Sequence, residues 1–237
     1  LPDIWWGSGT SVSRPMLEAG NILELTPYIT RDGWLDNFAK PEALMFEGKI
    51  YVVSAGTDMA RAPEVFYNSD YFAENGIEIP QNWAQFLDVL DTIKANGDIP
   101  LATPEFDIVH ALFQIVLMAE SPEAATALIS APTLLSEDVY VRALERVKML
   151  FDEGYFPLGV SRYSGEQANS AFVEEKVPIL LQYTWQLPHI EAAANERGFE
   201  PRIMQLPAVS STPGENRHPV QQWGTPFHGW AISNLSK

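Results

Sequence analysis

Apolar positions along the chain follow two periods. Short β-branched and aromatic runs at residues 1–6, 49–53, 65–67, 177–183, 202–206 and 229–233 predict strands. Between them the spacing becomes helical. Trp83, Phe86, Leu87, Leu90 and Ile93 follow Asn82, which can cap the helix, and Gly97 ends it. Val139, Ala143, Val147, Leu150 and Phe151 mark the inner face of a longer helix, with Ser136 as cap and Gly154 as stop. Residues 108–119 predict a buried helix, and Ser121-Pro122-Glu123 opens another. Residues 69–75, 165–175 and 188–197 are helical, and Ser13 can cap a short helix that begins near Pro15 and stops at Gly20. Strands alternate with helices and no repeat is present, which predicts an α/β fold with mostly parallel sheets.

Composition narrows the function classes. With 237 residues, 46% of them hydrophobic, the chain can build one large domain or two modest ones. Its longest nearly apolar run, 111–119, is broken by Gln114 and falls far short of the ~20 residues a spanning helix needs. Thirty-one acidic against 15 basic residues give a formal charge of −16, which argues against nucleic acid or anionic membrane as partners. The acidity reads as a solvated surface. No cysteine is present, so disulfides, thiolate metal sites and cysteine nucleophiles are excluded. His110, His189, His218 and His228 lack metal-ligand spacing, and neither a Gly-x-Ser-x-Gly elbow nor a phosphate-binding loop occurs. No cofactor, metal site or catalytic residue is expected. A carboxylate pair at glycosidase separation is a chance expectation among so many acids.

Several segments together carry a resemblance. Leu1-Pro2-Asp3-Ile4-Trp5-Trp6, Leu17-Glu18-Ala19-Gly20 and Leu25-Thr26-Pro27-Tyr28-Ile29 begin it. Phe46-Glu47-Gly48-Lys49-Ile50-Tyr51 and Phe66-Tyr67-Asn68-Ser69-Asp70-Tyr71-Phe72 strengthen it. Pro80-Gln81-Asn82-Trp83, Glu153-Gly154-Tyr155-Phe156, Tyr183-Thr184-Trp185 and Gly229-Trp230-Ala231-Ile232-Ser233 extend it to the end. In order and spacing the chain resembles the family 1 extracellular solute-binding proteins. The resemblance implies a two-lobe periplasmic-binding-protein-like fold (type II). Residues 1–56 would form part of lobe 1, 57–62 a first crossing, 63–222 lobe 2, and 223–237 a second crossing and return. It implies an incomplete fragment lacking N- and C-terminal portions, with apolar surface on lobe 1. The function implied is that of the substrate-binding component of an ABC importer, holding a sugar or oligosaccharide between the lobes by hinge closure and docking on a permease. Such a protein is monomeric, is no enzyme, and works outside the cytoplasm, in the periplasm or on a lipid anchor. A glycoside hydrolase and a non-sugar solute binder of the same fold are the alternatives, and fold alone does not choose among ligands.

A sugar site needs aromatic platforms and fixed polar groups. Trp185 follows a strand at a strand-to-helix junction, where open α/β sheets place ligands, and matches the tryptophan that stacks on sugar in similar proteins. The alternative is a tryptophan plugging the junction. Trp6 ends the first strand, and since Trp5 and Trp6 point to opposite faces only one can meet ligand. Trp223 lies beside Gly224 near the second crossing. Asp58 and Arg61 in the first crossing supply polar sugar contacts by resemblance, or pair with each other. Asp107 and His110 open a helix, where Asp107 can equally stabilise the helix start. Trp83, Trp34 and Trp230 are expected in packed positions.

Overall fold

The structure is a computed structural model that describes residues 3–8, 15–37, 45–53, 63–104, 112–121, 123–125, 137–204, 206–207, 209 and 228–234. The chain divides into two compact units, Leu1–Arg61 with Gln221–Lys237, and Ala62–Val220.

The first unit is built on a three-stranded antiparallel sheet. Strand β1 (Ile4–Ser8) and the short β4 (Val52–Val53) flank the central β9 (His228–Ile232). Trp5 and Val52 both pair with Ala231, and Ile22, Met16 and Leu17 pack on that face. Helix α1 (Thr26–Arg31) starts with Pro27, whose missing N–H costs nothing at a helix start. The Thr26 hydroxyl accepts the Ile50 N–H at 2.9 Å, and Leu25 N donates to the Ile50 carbonyl at 2.7 Å. These bonds tie α1 to strand β3 (Lys49–Ile50), which forms a hairpin with β2 (Met45–Phe46). Glu47 and Gly48, both at positive φ, make its two-residue turn.

The second unit holds a four-stranded sheet in the order β6-β7-β5-β8: β5 (Pro63–Asn68), β6 (Leu101–Ala102), β7 (Ile179–Tyr183) and β8 (Pro201–Met204). Helices α2 (Ser69–Glu74), α3 (Trp83–Ala95), α4 (Phe113–Glu120), α5 (Asp138–Asp152), α6 (Gly165–Val173) and α7 (Leu187–Arg197) surround it. Phe66, Ala102 and Leu180 on one sheet face pack against Ala168, Phe172 and Ile190 of α6 and α7. Helix α4 is buried nearly all round, packed against β5 and α5. Helix α5 turns Tyr140, Ala143, Val147 and Leu150 inward, a helical stripe. Local signals set the helix starts. The Asn82 side chain accepts from Gln85 N at 2.9 Å, and Ser164 with Gln167 forms a complete capping box.

The expectation of mostly parallel sheets is corrected. Only β6 and β7 run parallel among the described pairings; β5 is antiparallel to both β7 and β8, and the first unit's sheet is antiparallel throughout. The connections fit these directions. The single helix α7 leaves β7 and β8 co-directional, although β5 lies between them. Helices α2 and α3 lie between β5 and β6, which run in opposite directions.

Candidate functional site

Strand β7 is buried along its whole length, and Gln182 is its single polar residue. The chain leaves it through a 3-10 turn, Thr184–Gln186, and enters α7, where Pro188 sits in the first turn. That turn lifts Trp185 out of the sheet. Its indole lies flat on the buried Tyr183 ring, with centroids 4.1 Å apart and planes 13° from parallel, yet 40% of the residue stays accessible. The phenol ring thus fixes the indole while leaving apolar aromatic surface at the carboxyl end of β7.

A string of amides braces this end. Gln182 Nε2 donates to Asn169 Oδ1 at 3.0 Å, and Asn169 Nδ2 donates to Gln186 Oε1 at 3.2 Å. The Gln182 Oε1 accepts from Tyr183 N at 2.9 Å. Helix α6, strand β7 and the turn carrying Trp185 are therefore one bonded assembly.

Two further polar groups occupy the same sheet end. Glu64 in β5 is the direct partner of Gln182 across the antiparallel ladder. It is half-buried, among the described residues nothing pairs with its carboxylate, and burial pushes its pKa above the usual carboxylate range. Thr103, immediately past β6, is fully buried, and among the described residues its hydroxyl has no hydrogen-bond partner.

In the first unit, Trp6 pairs with Trp230 across β1 and β9, edge to face at 5.3 Å and 83°. Trp5 points to the packed face with Val52 and Ala231. Trp230 is 49% exposed, which corrects the expectation that it is buried: Ala231 takes the core side of β9, and alternation turns Trp230 to the other. Trp34 is likewise exposed, at 51%, in a 3-10 turn, against the expectation that it packs. Trp83 is core, on the inner face of α3 beneath the Arg146 guanidinium. Asp58, Arg61, Asp107, His110 and Trp223 lie outside the described residues.

Three open clefts are present among the described residues, the smallest, of about 300 Å³, beside Pro80 and Gln85 at the start of α3. One of about 520 Å³ in the first unit is lined by Leu17, Glu18, Phe46, Tyr51 and Asn234 among others. One of about 750 Å³ lies between α6 and α7 and reaches Asn169, Gln186 and His189. Trp6 and Trp185 line none of the three. Among the described residues no group of carboxylates and histidines is arranged to hold a metal ion, and no helix is long and apolar enough to cross a membrane.

Sequence reading missed Glu64, Thr103 and the amide string. The one visible signal was Gln182, a lone polar residue in an otherwise apolar strand.

The model of the bacterial extracellular solute-binding protein family matches residues 1–236. The chain is 26% identical over 140 residues to the multiple sugar-binding protein of Streptococcus mutans serotype c, covering 56% of this chain and 33% of that protein. Among solved structures, a chitin oligosaccharide binding protein aligns over 100% of this chain and 58% of its own, at 21% identity and a TM-score of 0.79. A protein from work on xylan utilization by Caldanaerobius polysaccharolyticus aligns over 100% and 60%, at 19% identity and a TM-score of 0.78. At these identities the structures establish the fold, the two-lobed α/β fold of type II solute-binding proteins. The chain spans about a third of the curated relative and under two thirds of these solved chains.

Proposed function

Because the chain belongs to the bacterial extracellular solute-binding proteins, matched over residues 1–236, we propose that it is the substrate-binding component of an ABC importer for a sugar or oligosaccharide. The observation that carries the sugar assignment is the accessible indole of Trp185, fixed flat on Tyr183 at the carboxyl end of β7. A pyranose face is apolar and flat, and such a ring offers it a matching surface. The amide string through Gln182, Asn169 and Gln186 holds that surface in place. Trp6 with Trp230 is a second aromatic surface, carried by the other unit. Sugar drives hinge closure through contacts made only in the closed form, and the closed form docks on the permease. The protein works as a monomer outside the cytoplasm, in the periplasm or on a lipid anchor, and leaves its ligand chemically unchanged.

A thermal-shift screen of the chain against chitobiose, xylobiose, raffinose, stachyose and the common monosaccharides tests this. A sugar at a hundredfold excess over its Kd adds about 2.7 kcal/mol and raises the melting temperature. No shift with any sugar contradicts the reading, and so does product accumulating beyond protein stoichiometry.

A further inference from the structure

We propose that Glu64 is a ligand-binding residue of this site, its carboxylate accepting hydroxyls of a neutral sugar laid across the end of the β6-β7-β5-β8 sheet. The inference rests on the reading above that the site takes sugar.

Its basis is a polar group that the described protein leaves unmet. Glu64 is drawn half out of water, and among the described residues no cation or hydrogen-bond donor meets its carboxylate. A carboxylate in that state costs stability unless a donor is supplied. Among the described contacts its neighbour across the ladder, Gln182, supplies none. Its oxygen accepts from Tyr183 N and one of its Nε2 protons goes to Asn169. The buried Thr103 hydroxyl, also without a partner among the described residues, stands past β6 at the same end. Glu64 and the accessible indole thus share one end of one sheet, where Thr103, fully buried, alternates to the face opposite Glu64.

A sugar complements this set. Adjacent hydroxyls can both donate to one carboxylate, and hydrogen bonds to a charged acceptor are the stronger kind. The ring face supplies the apolar partner for Trp185. Desolvation that penalises the empty protein then strengthens each bond once the donors arrive. Glu64 in this role trades stability of the ligand-free protein for affinity.

The test uses the full chain carrying Glu64→Gln, Glu64→Ala or Trp185→Ala. Calorimetric titration is run with whichever sugar of the panel above shifts the wild-type melting temperature. Glu64→Gln should weaken binding about tenfold and Glu64→Ala more. The ligand-free melting temperature of Glu64→Gln should rise, because a neutral amide is cheaper to bury there. A residue with a purely structural role would show the opposite pair, a lowered melting temperature with unchanged affinity, and that pair overturns the inference. If Trp185→Ala loses affinity while both Glu64 variants keep it, the sugar reading stands and the Glu64 inference fails. If no sugar binds the wild type, both fall. Glucosamine serves as a charged control: tight binding of that ammonium sugar, dependent on Glu64, with no neutral sugar affected, also overturns the proposal.

Discussion

Replacing Trp185 with alanine removes the aromatic surface on which the functional reading depends. A tryptophan exposes up to ~250 Å², and Trp185 keeps 40% of its surface accessible, so about 100 Å² is available to a ligand. A sugar ring covering about half of it, with a similar area of its own hidden, removes roughly 100 Å² from water. At about 25 cal/mol/Å² this contributes about 2.5 kcal/mol before ordering costs. Trp185→Ala should therefore raise Kd about ten- to a hundredfold, since 1.4 kcal/mol is tenfold. Trp185→Phe, which retains a smaller ring over Tyr183, should fall between. Calorimetric titration reads the affinity, and circular dichroism checks the fold. The Tyr183 stack lost with the indole is worth only ~0.5–1.5 kcal/mol, so the variant should stay folded. An unchanged Kd would remove Trp185 from the site. Global unfolding would mean that the indole plugs the junction between β7 and α7.

Other expectations concern the frame around the site. Glu120, with only 8% of its side chain accessible, receives Arg142 Nε and Arg146 Nε. Burial pushes its pKa up, but the two guanidiniums outweigh this and hold it below the usual carboxylate range. A depressed folded pKa contributes stability above the unfolded value, about 4.3, that is lost as pH falls through the folded one. Glu120→Gln should cost about 1–2 kcal/mol in urea unfolding at pH 7 and flatten the acid limb; an unaltered acid limb would refute the coupling. Tyr71 is pushed up to about 12 by burial first and by its bond to Asp98 second. Its stability share is present below about pH 10 and lost as pH rises through the folded value, so Tyr71→Phe should remove an alkaline transition seen in wild type. The buried Asn68 accepts from both Asp70 N and Tyr71 N at 3.0 Å, and Asn68→Ala should cost about 1–2 kcal/mol by chemical denaturation, against a negligible change if the cap is idle.

What could be read in the sequence was local. Asn82 before a helical apolar stripe gave the start of α3, because a cap and its helix are neighbours in the chain. The run ending at Tyr183 gave β7 and put Trp185 at its exit. Face choice was harder. In Gly229-Trp230-Ala231 the larger residue looked like the buried one, but Ile22 and Val52 close on the small Ala231, and Trp230 is turned away. Glu64 carried no signal of its own. Its place opposite Gln182, more than a hundred residues distant, comes from strand pairing, which no local pattern encodes.

Strand direction is the step that links those misses to the site. Ligand sites of open α/β sheets are sought at carboxyl ends of strands, and parallel strands would have put only such exits at the end that carries Trp185. The antiparallel β5 changes what arrives there. The exits of β6 and β7 bring Thr103 and the Gln182-to-Gln186 segment, while the entrance of β5 brings Glu64 to face Gln182. Run parallel to β7, β5 would present Asn68 at this end instead. Asn68 caps α2, with its oxygen occupied by two backbone N–H groups. The antiparallel direction of β5 therefore decides that an acid with no partner among the described residues, and not a satisfied cap, stands beside the amide string.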